Sequence, residues 1–182
     1  SDSICFPAKL VHGHIEELAK QQIDRIFYPV VVFENQEYSN SVNTYNCPIV
    51  TGYPDVISSA QNIYGKYNIK LDTPSFHLGD KNLLQKACYQ YLKQFNISRR
   101  VFYQAFQTAL DEQKSFKSKL RNKANEIISL AKQQDELLVV ISARPYHTDP
   151  LINQRTPELL SQLGVHTITE DSIYQQNNNS LP

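Results

Sequence analysis

The sequence predicts an α/β protein of two small parallel-sheet lobes bridged by long helices, and three observations point there. Residues 137–142, Leu-Leu-Val-Val-Ile-Ser, form a continuous apolar run suited to the middle of a parallel sheet. A loop, a helix over residues 153–163 ended by Gly164, and a second strand over residues 165–169 follow in the order of a doubly wound unit. Between Asp80 and about Gln134 the apolar residues keep a helical period for longer than one lobe needs, so these helices bridge two lobes. The expected divisions are 1–79, 80–135 and 136–182.

In the first lobe, Ile15, Leu18 and Ala19 recur at helical spacing, with Glu16, Glu17, Lys20 and Gln21 on the other face, and predict a short helix over residues 13–22. The β-branched and aromatic run over residues 24–33 is interrupted at Pro29, which predicts a buried parallel strand ending near that proline. Residues 34–46 are polar and aperiodic, a loop that delivers Cys47 to the strand end. Ile49 and Val50 read as a short strand, followed by a helix from Pro54 or Asp55 through Ile63. Residues 64–79 are irregular, apart from a brief strand at Ile69 and Leu71 and a turn at Asp72-Thr73-Pro74.

The bridge opens with a helix after Asp80, whose apolar stripe holds Leu84, Ala87, Cys88, Tyr91, Leu92 and Phe95. Ser98 is a good N-cap for a second helix, which carries Phe102, Phe106, Leu120, Ala124, Ile127 and Ala131 at helical spacing. Unbroken to Gln134, it would run roughly 50 Å. The tail over residues 175–180 is polar and reads as loose.

Composition narrows the function. Eighteen Lys and Arg balance eighteen Asp and Glu, so bulk charge favours neither a nucleic acid nor an anionic membrane as partner. No apolar run approaches the roughly 20 residues of a membrane span. The chain opens without Met, contains none and shows no secretory signal, which reads as a piece of a longer protein. Three cysteines, an odd number in a chain of this length, argue against a disulfide framework and for the cytoplasm.

The chemistry concentrates in three stretches. Cys5-Phe6-Pro7-Ala8-Lys9-Leu10-Val11-His12-Gly13-His14 holds a thiol, an amine and two imidazoles. Cys5 and Pro7 stand where the chain enters a helix, and a helix N-terminus favours an anion such as a thiolate. The alternative for Cys5 is a small apolar residue beside Phe6. Cys47-Pro48 repeats the pairing of cysteine with proline near an element end, so Cys5 and Cys47 are expected to converge, or Cys47 is merely packed. Cys88, in an apolar stripe, reads as core.

The third stretch, Arg144-Pro145-Tyr146-His147-Thr148-Asp149-Pro150, follows a strand, where open α/β sheets place ligands. A crevice between the lobes is therefore expected, lined by Lys9, His12 and His14 and by Arg144, His147 and Asp149. Lys9 and Arg144 would meet a phosphate or carboxylate, with His147 as a hydrogen-bond donor. Alternatively, Asp149 and Thr148 cap the helix and Arg144 pairs with Glu170 or Asp171.

Taken together, Cys5-Phe6-Pro7-Ala8-Lys9, His12-Gly13-His14, Asp24-Arg25-Ile26-Phe27-Tyr28-Pro29, Tyr45-Asn46-Cys47-Pro48, Gly52-Tyr53-Pro54 and residues 144–150 resemble the uncharacterised domain of CoA-substrate-specific enzyme activases. These are large relatives of the 2-hydroxyglutaryl-CoA dehydratase activator, and the resemblance runs from about residue 1 to about residue 173. It implies similarity to 2-hydroxyacyl-CoA dehydratase subunits, whose flavodoxin-like or Rossmann-like lobes hold a [4Fe-4S] cluster through cysteines at strand and helix ends. Cys5 and Cys47 match that kind of position, while Cys88 lies in a core stripe and leaves a third ligand unassigned.

Two roles follow from the resemblance. The first is a redox module that binds an iron-sulfur cluster and assists electron transfer to a CoA-thioester dehydratase, the partners being that dehydratase and the ATPase domains of the same activase. The second is a non-catalytic docking or regulatory domain that binds a partner or a small anionic ligand. A zinc site of Cys5, Cys47 and one of His12 or His14 is a third, weaker reading. The ATPase part of the activase is not in this chain.

Overall fold

Two prolines set the shape of the first sheet. The computed structural model describes residues 5–36, 41–60 and 62–173, and in it β1 (Arg25–Phe27) pairs in parallel with β3 (Lys70–Asp72), and β2 (Val30–Phe33) with β4 (Ser75–His77). Arg25 lies opposite Lys70 and Val30 opposite Ser75, so the same stagger holds on both sides of Pro29 and Pro74. The amide of Tyr28 donates to the Asp72 carbonyl (2.8 Å) and that of Val30 to the Pro74 carbonyl (2.9 Å), carrying the ladder across the break. Each strand is thus interrupted by a residue with no N–H to offer, and pairing resumes beyond it.

The chain divides into two compact units, Ser1–Tyr103 and Gln104–Pro182. In the first, α1 (Phe6–Lys20), α2 (Pro48–Ala60) and α3 (Ile63–Tyr67) pack on the sheet. Ala8, Ile15 and Ala19 of α1 meet Tyr53 and Ile57 of α2, together with Ile26, Ile63 and Ile69, in one buried cluster. Glu16 of α1 ties down α3 through Lys66 Nζ (2.6 Å) and the Tyr67 hydroxyl, and these bonds hold its carboxyl below the usual range. Next to β4 runs α4 (Lys81–Leu92), which opens on Asp80, whose side chain accepts from the amides of Asn82 (2.8 Å) and Leu83 (3.0 Å). A 3-10 turn, Lys93–Phe95, leads to α5 (Arg99–Gln134), whose first turns bury Phe102 against Tyr89.

In the second unit β5 (Leu138–Ile141) pairs in parallel with β6 (His166–Thr169), with Leu138 opposite His166 and Ile141 opposite Thr169. Leu120, Ala124 and Ile127 of α5 share a cleft with Ile141 and Ile168. A 3-10 turn (Pro145–Thr148) and α6 (Thr156–Gln162) connect the strands, and α7 (Glu170–Ile173) follows β6. All three strand pairings are parallel, and the one antiparallel contact described is an isolated bridge between Phe33 and Tyr45. The fold is α/β, as predicted. No helix among the described residues is long and apolar enough to cross a membrane.

Several boundaries differ from the sequence reading. α1 starts at Phe6 and not near Gly13, because Pro7 in the first turn has its φ preset for a helix and Gly13 is accommodated inside it. Ile49 and Val50 are helical, not a strand: Pro48 opens α2 where a missing N–H costs nothing, and Pro54, fully buried, is tolerated within the helix. Residues 64–79 hold α3, β3 and β4, strands too short for their period to register. α6 begins at Thr156, since Gln154 and Arg155 take left-handed backbone conformations that no helix accepts. Residues 1–4, residues 37–40 of the polar loop and the 175–180 tail lie outside the described residues.

The first sheet buries a carboxylate. Asp72, at the end of β3, accepts from Arg25 Nη1 (2.7 Å) and the Tyr91 hydroxyl (2.9 Å), and its other oxygen lies 3.3 Å from Lys70 Nζ. Burial alone would raise its pKa, but the bonds from Tyr91, Arg25 and Lys70 outweigh that and hold the carboxylate below its ordinary range. Arg25 also lies 4.6 Å over the Phe95 ring, so the cluster joins β1, β3 and the end of α4.

Candidate functional site

The carboxyl ends of both sheets carry the chemistry. In the first unit, α1 and α2 both run back from that edge. Glu16, late in α1, reaches α3 just before β3 begins, while the Asn46 amide donates to the Val32 carbonyl (2.8 Å) near the end of β2. Both helix N-termini therefore stand at the carboxyl edge, and a cysteine occupies each. Cys5 is the N-cap residue of α1, and the Cys47 carbonyl accepts the first helical bond of α2, from Thr51 (3.0 Å). Both side chains are exposed.

A side-chain contact further along joins the two helices. The rings of His12 and Tyr53 meet edge to face at 5.6 Å. His12 is about 10 Å along α1 from Cys5, and Tyr53 about 9 Å along α2 from Cys47, at the helical rise. α1 and α2 are thus neighbours in the first unit, each with a cysteine at its N-terminal end. Cys47 is held from both sides: the Asn46 side chain accepts from its amide (2.8 Å) while donating to Val31 O (3.3 Å) and Glu34 Oε1 (3.0 Å).

Lys9 and His14 are exposed on α1, and His12 is half-buried against Tyr53. Cys88 is half-buried in α4, and burial pushes its thiol up, so it is the least reactive of the three. His77, which sequence reasoning did not single out, ends β4 stacked on Phe33 at 4.4 Å, with its Nδ1 buried and without a hydrogen-bond partner. Only its place at a strand end, invisible before β4 was known, would have marked it. Among the described residues no three His, Cys, Asp or Glu side chains stand close enough together to hold a metal ion.

In the second unit, a cavity of about 110 Å³ opens beyond the carboxyl ends of β5 and β6. Arg144 and His147 come from the loop after β5, Glu170 and Asp171 from the start of α7, directly after β6, and Ile141 and Ala143 are among its apolar lining. His147 is fixed by its own turn: its Nδ1 lies 3.2 Å from the Arg144 carbonyl, and Asn153 Nδ2 donates to its carbonyl (2.9 Å). The Ser142 hydroxyl donates to Glu170. Gln154 and Arg155, beside Asn153, both hold positive φ, a strain of about 1–2 kcal/mol each of the kind often kept near ligand sites. Asp149 caps the turn by accepting from the Leu151 amide (2.8 Å) and does not line this cavity.

Comparison with known proteins gives one match: a family model described as CoA enzyme activase uncharacterised domain covers residues 1–173. No curated protein and no solved structure matches the chain.

Proposed function

As the chain belongs to the CoA enzyme activase uncharacterised domain family, we propose that it serves the activase as a redox module in which Cys5 and Cys47 supply two thiolate ligands of an iron-sulfur cluster. The observation that carries this reading is that an exposed cysteine stands at the N-terminus of each of two neighbouring helices, α1 and α2. Thiolates are the donors that iron-sulfur clusters use, and a helix N-terminus stabilises their negative charge. With no third donor grouped beside them among the described residues, the pair accounts for two ligands, and other groups complete the set. A bound cluster supplies one-electron chemistry. In this chain Asn46 fixes the backbone before α2, and the His12–Tyr53 contact joins α1 to α2. The electrons would pass toward a 2-hydroxyacyl-CoA dehydratase-type partner, driven by the activase's ATPase domains.

The test is ATP-dependent activation of the dehydratase by full-length activase carrying Cys5→Ser or Cys47→Ser. Loss of activation in each, with thermal stability unchanged and Cys88→Ser active, is expected. Full activation by Cys5→Ser and Cys47→Ser would overturn the proposal.

A second reading, a regulatory domain that binds a small ligand with an anionic group, is favoured by the cavity beyond β5 and β6. Arg144 lines it and enters no ion pair with Glu170 or Asp171 among the described residues, so its charge is available to a ligand.

A further inference from the structure

We propose that the cavity beyond β5 and β6 binds a small zwitterion, its carboxylate facing Arg144 and its ammonium facing Asp171 and Glu170. This rests on the ligand-binding reading above and narrows it to a chemical class. One loop brings a guanidinium and an imidazole to the cavity, and the start of α7 brings two carboxylates. Arg144 and Asp171 are exposed and Glu170 is half-buried, so each can meet a ligand that enters the cavity. Among the described residues, Arg144 makes no ion pair, Asp171 makes none, and Glu170 has only the Ser142 hydroxyl as partner.

A purely anionic ligand would satisfy Arg144 while setting its own charge against two carboxylates, and a purely cationic one would do the reverse. A molecule carrying both charges complements both walls. The cavity, about 110 Å³, is large enough to receive the charged head of a small amino acid. Ile141 and Ala143 leave room for a short apolar or hydroxylated side chain, and the Asn153 bond to His147 keeps the loop in place before the ligand arrives.

The experiment titrates the 182-residue chain with glycine and L-serine, and separately with acetate, phosphate and methylamine, following backbone amide shifts by NMR. Shifts confined to residues 141–148 and 169–171, with both amino acids binding at least about tenfold tighter than acetate or methylamine, are expected from one added charge-assisted hydrogen bond. Arg144→Ala should weaken both amino acids and acetate, whereas Asp171→Asn should weaken the amino acids and spare acetate; unchanged far-UV circular dichroism controls for folding. Acetate or phosphate binding as tightly as the amino acids overturns the zwitterion and leaves the broader anionic-ligand reading standing. No localised shift from any probe up to about 10 mM, far above useful affinity, overturns both.

Discussion

Asp72→Asn should cost the first unit about 3 kcal/mol of stability, at the low end of what breaking a buried ion pair costs. The aspartate is buried, and its 2.7 Å bond to Arg25 and 2.9 Å bond from Tyr91 join β3 to β1 and α4. Both bonds fall on one oxygen, which asparagine can keep in place, but it loses the charge and turns donor hydrogens toward Lys70. Two features set the low end. About a third of the Arg25 side chain remains exposed and rehydrates when unpaired, and Lys70, more than half exposed, contributes little. Urea denaturation reads the loss as a fall in midpoint of about 1–2 M at unchanged slope. The pH dependence gives a second check. Because the folded carboxyl lies below its unfolded value, its contribution is complete above the unfolded value and fades as pH falls toward the folded one. The gap between wild type and variant should therefore narrow below about pH 4. A loss under about 1 kcal/mol, or a gap that stays constant down to pH 2, would refute this account of a paired, buried charge.

Gly79→Ala should destabilise by about 1–3 kcal/mol in the same assay, because the new methyl carbon would stand 2.6 Å from the Glu34 carbonyl oxygen, a backbone atom with little freedom to yield. Native-state alkylation should modify the exposed Cys5 and Cys47 well before Cys88, read by mass spectrometry of peptides at timed quenches; Cys88 reacting first would contradict its burial.

Long elements were readable in the sequence because their periods had room to show. α5 runs 36 residues behind the Ser98 cap, and the 137–142 run contains β5. Three-residue strands such as β3 and β4 show less than two full alternations, so residues 64–79 looked irregular. Ile49 and Val50 misled for a different reason: β-branched residues beside Pro54 resemble a strand before a helix start, and what decided otherwise was burial of Tyr53, Pro54 and Ile57 against the core. At the site, Arg144 and His147 were legible because a loop after a parallel strand is where ligands gather, whereas Glu170 and Asp171, read from the sequence as possible partners of Arg144, open α7 and line the cavity. Asn153, which holds His147 in place, was hidden within a helix predicted to start there. The contact between His12 and Tyr53, which joins α1 to α2, depends on how two helices pack, and no local pattern encodes that.

The central claim is that Cys5 and Cys47 act together as iron ligands, and anaerobic reconstitution of this chain with iron and sulfide, with excess small thiol to complete the coordination, tests it most directly through visible and EPR spectra. The account predicts thiolate-to-iron charge-transfer absorption that Cys5→Ser and Cys47→Ser each abolish and Cys88→Ser leaves intact. Absorption that survives both single substitutions, or that disappears only with Cys88, would contradict it.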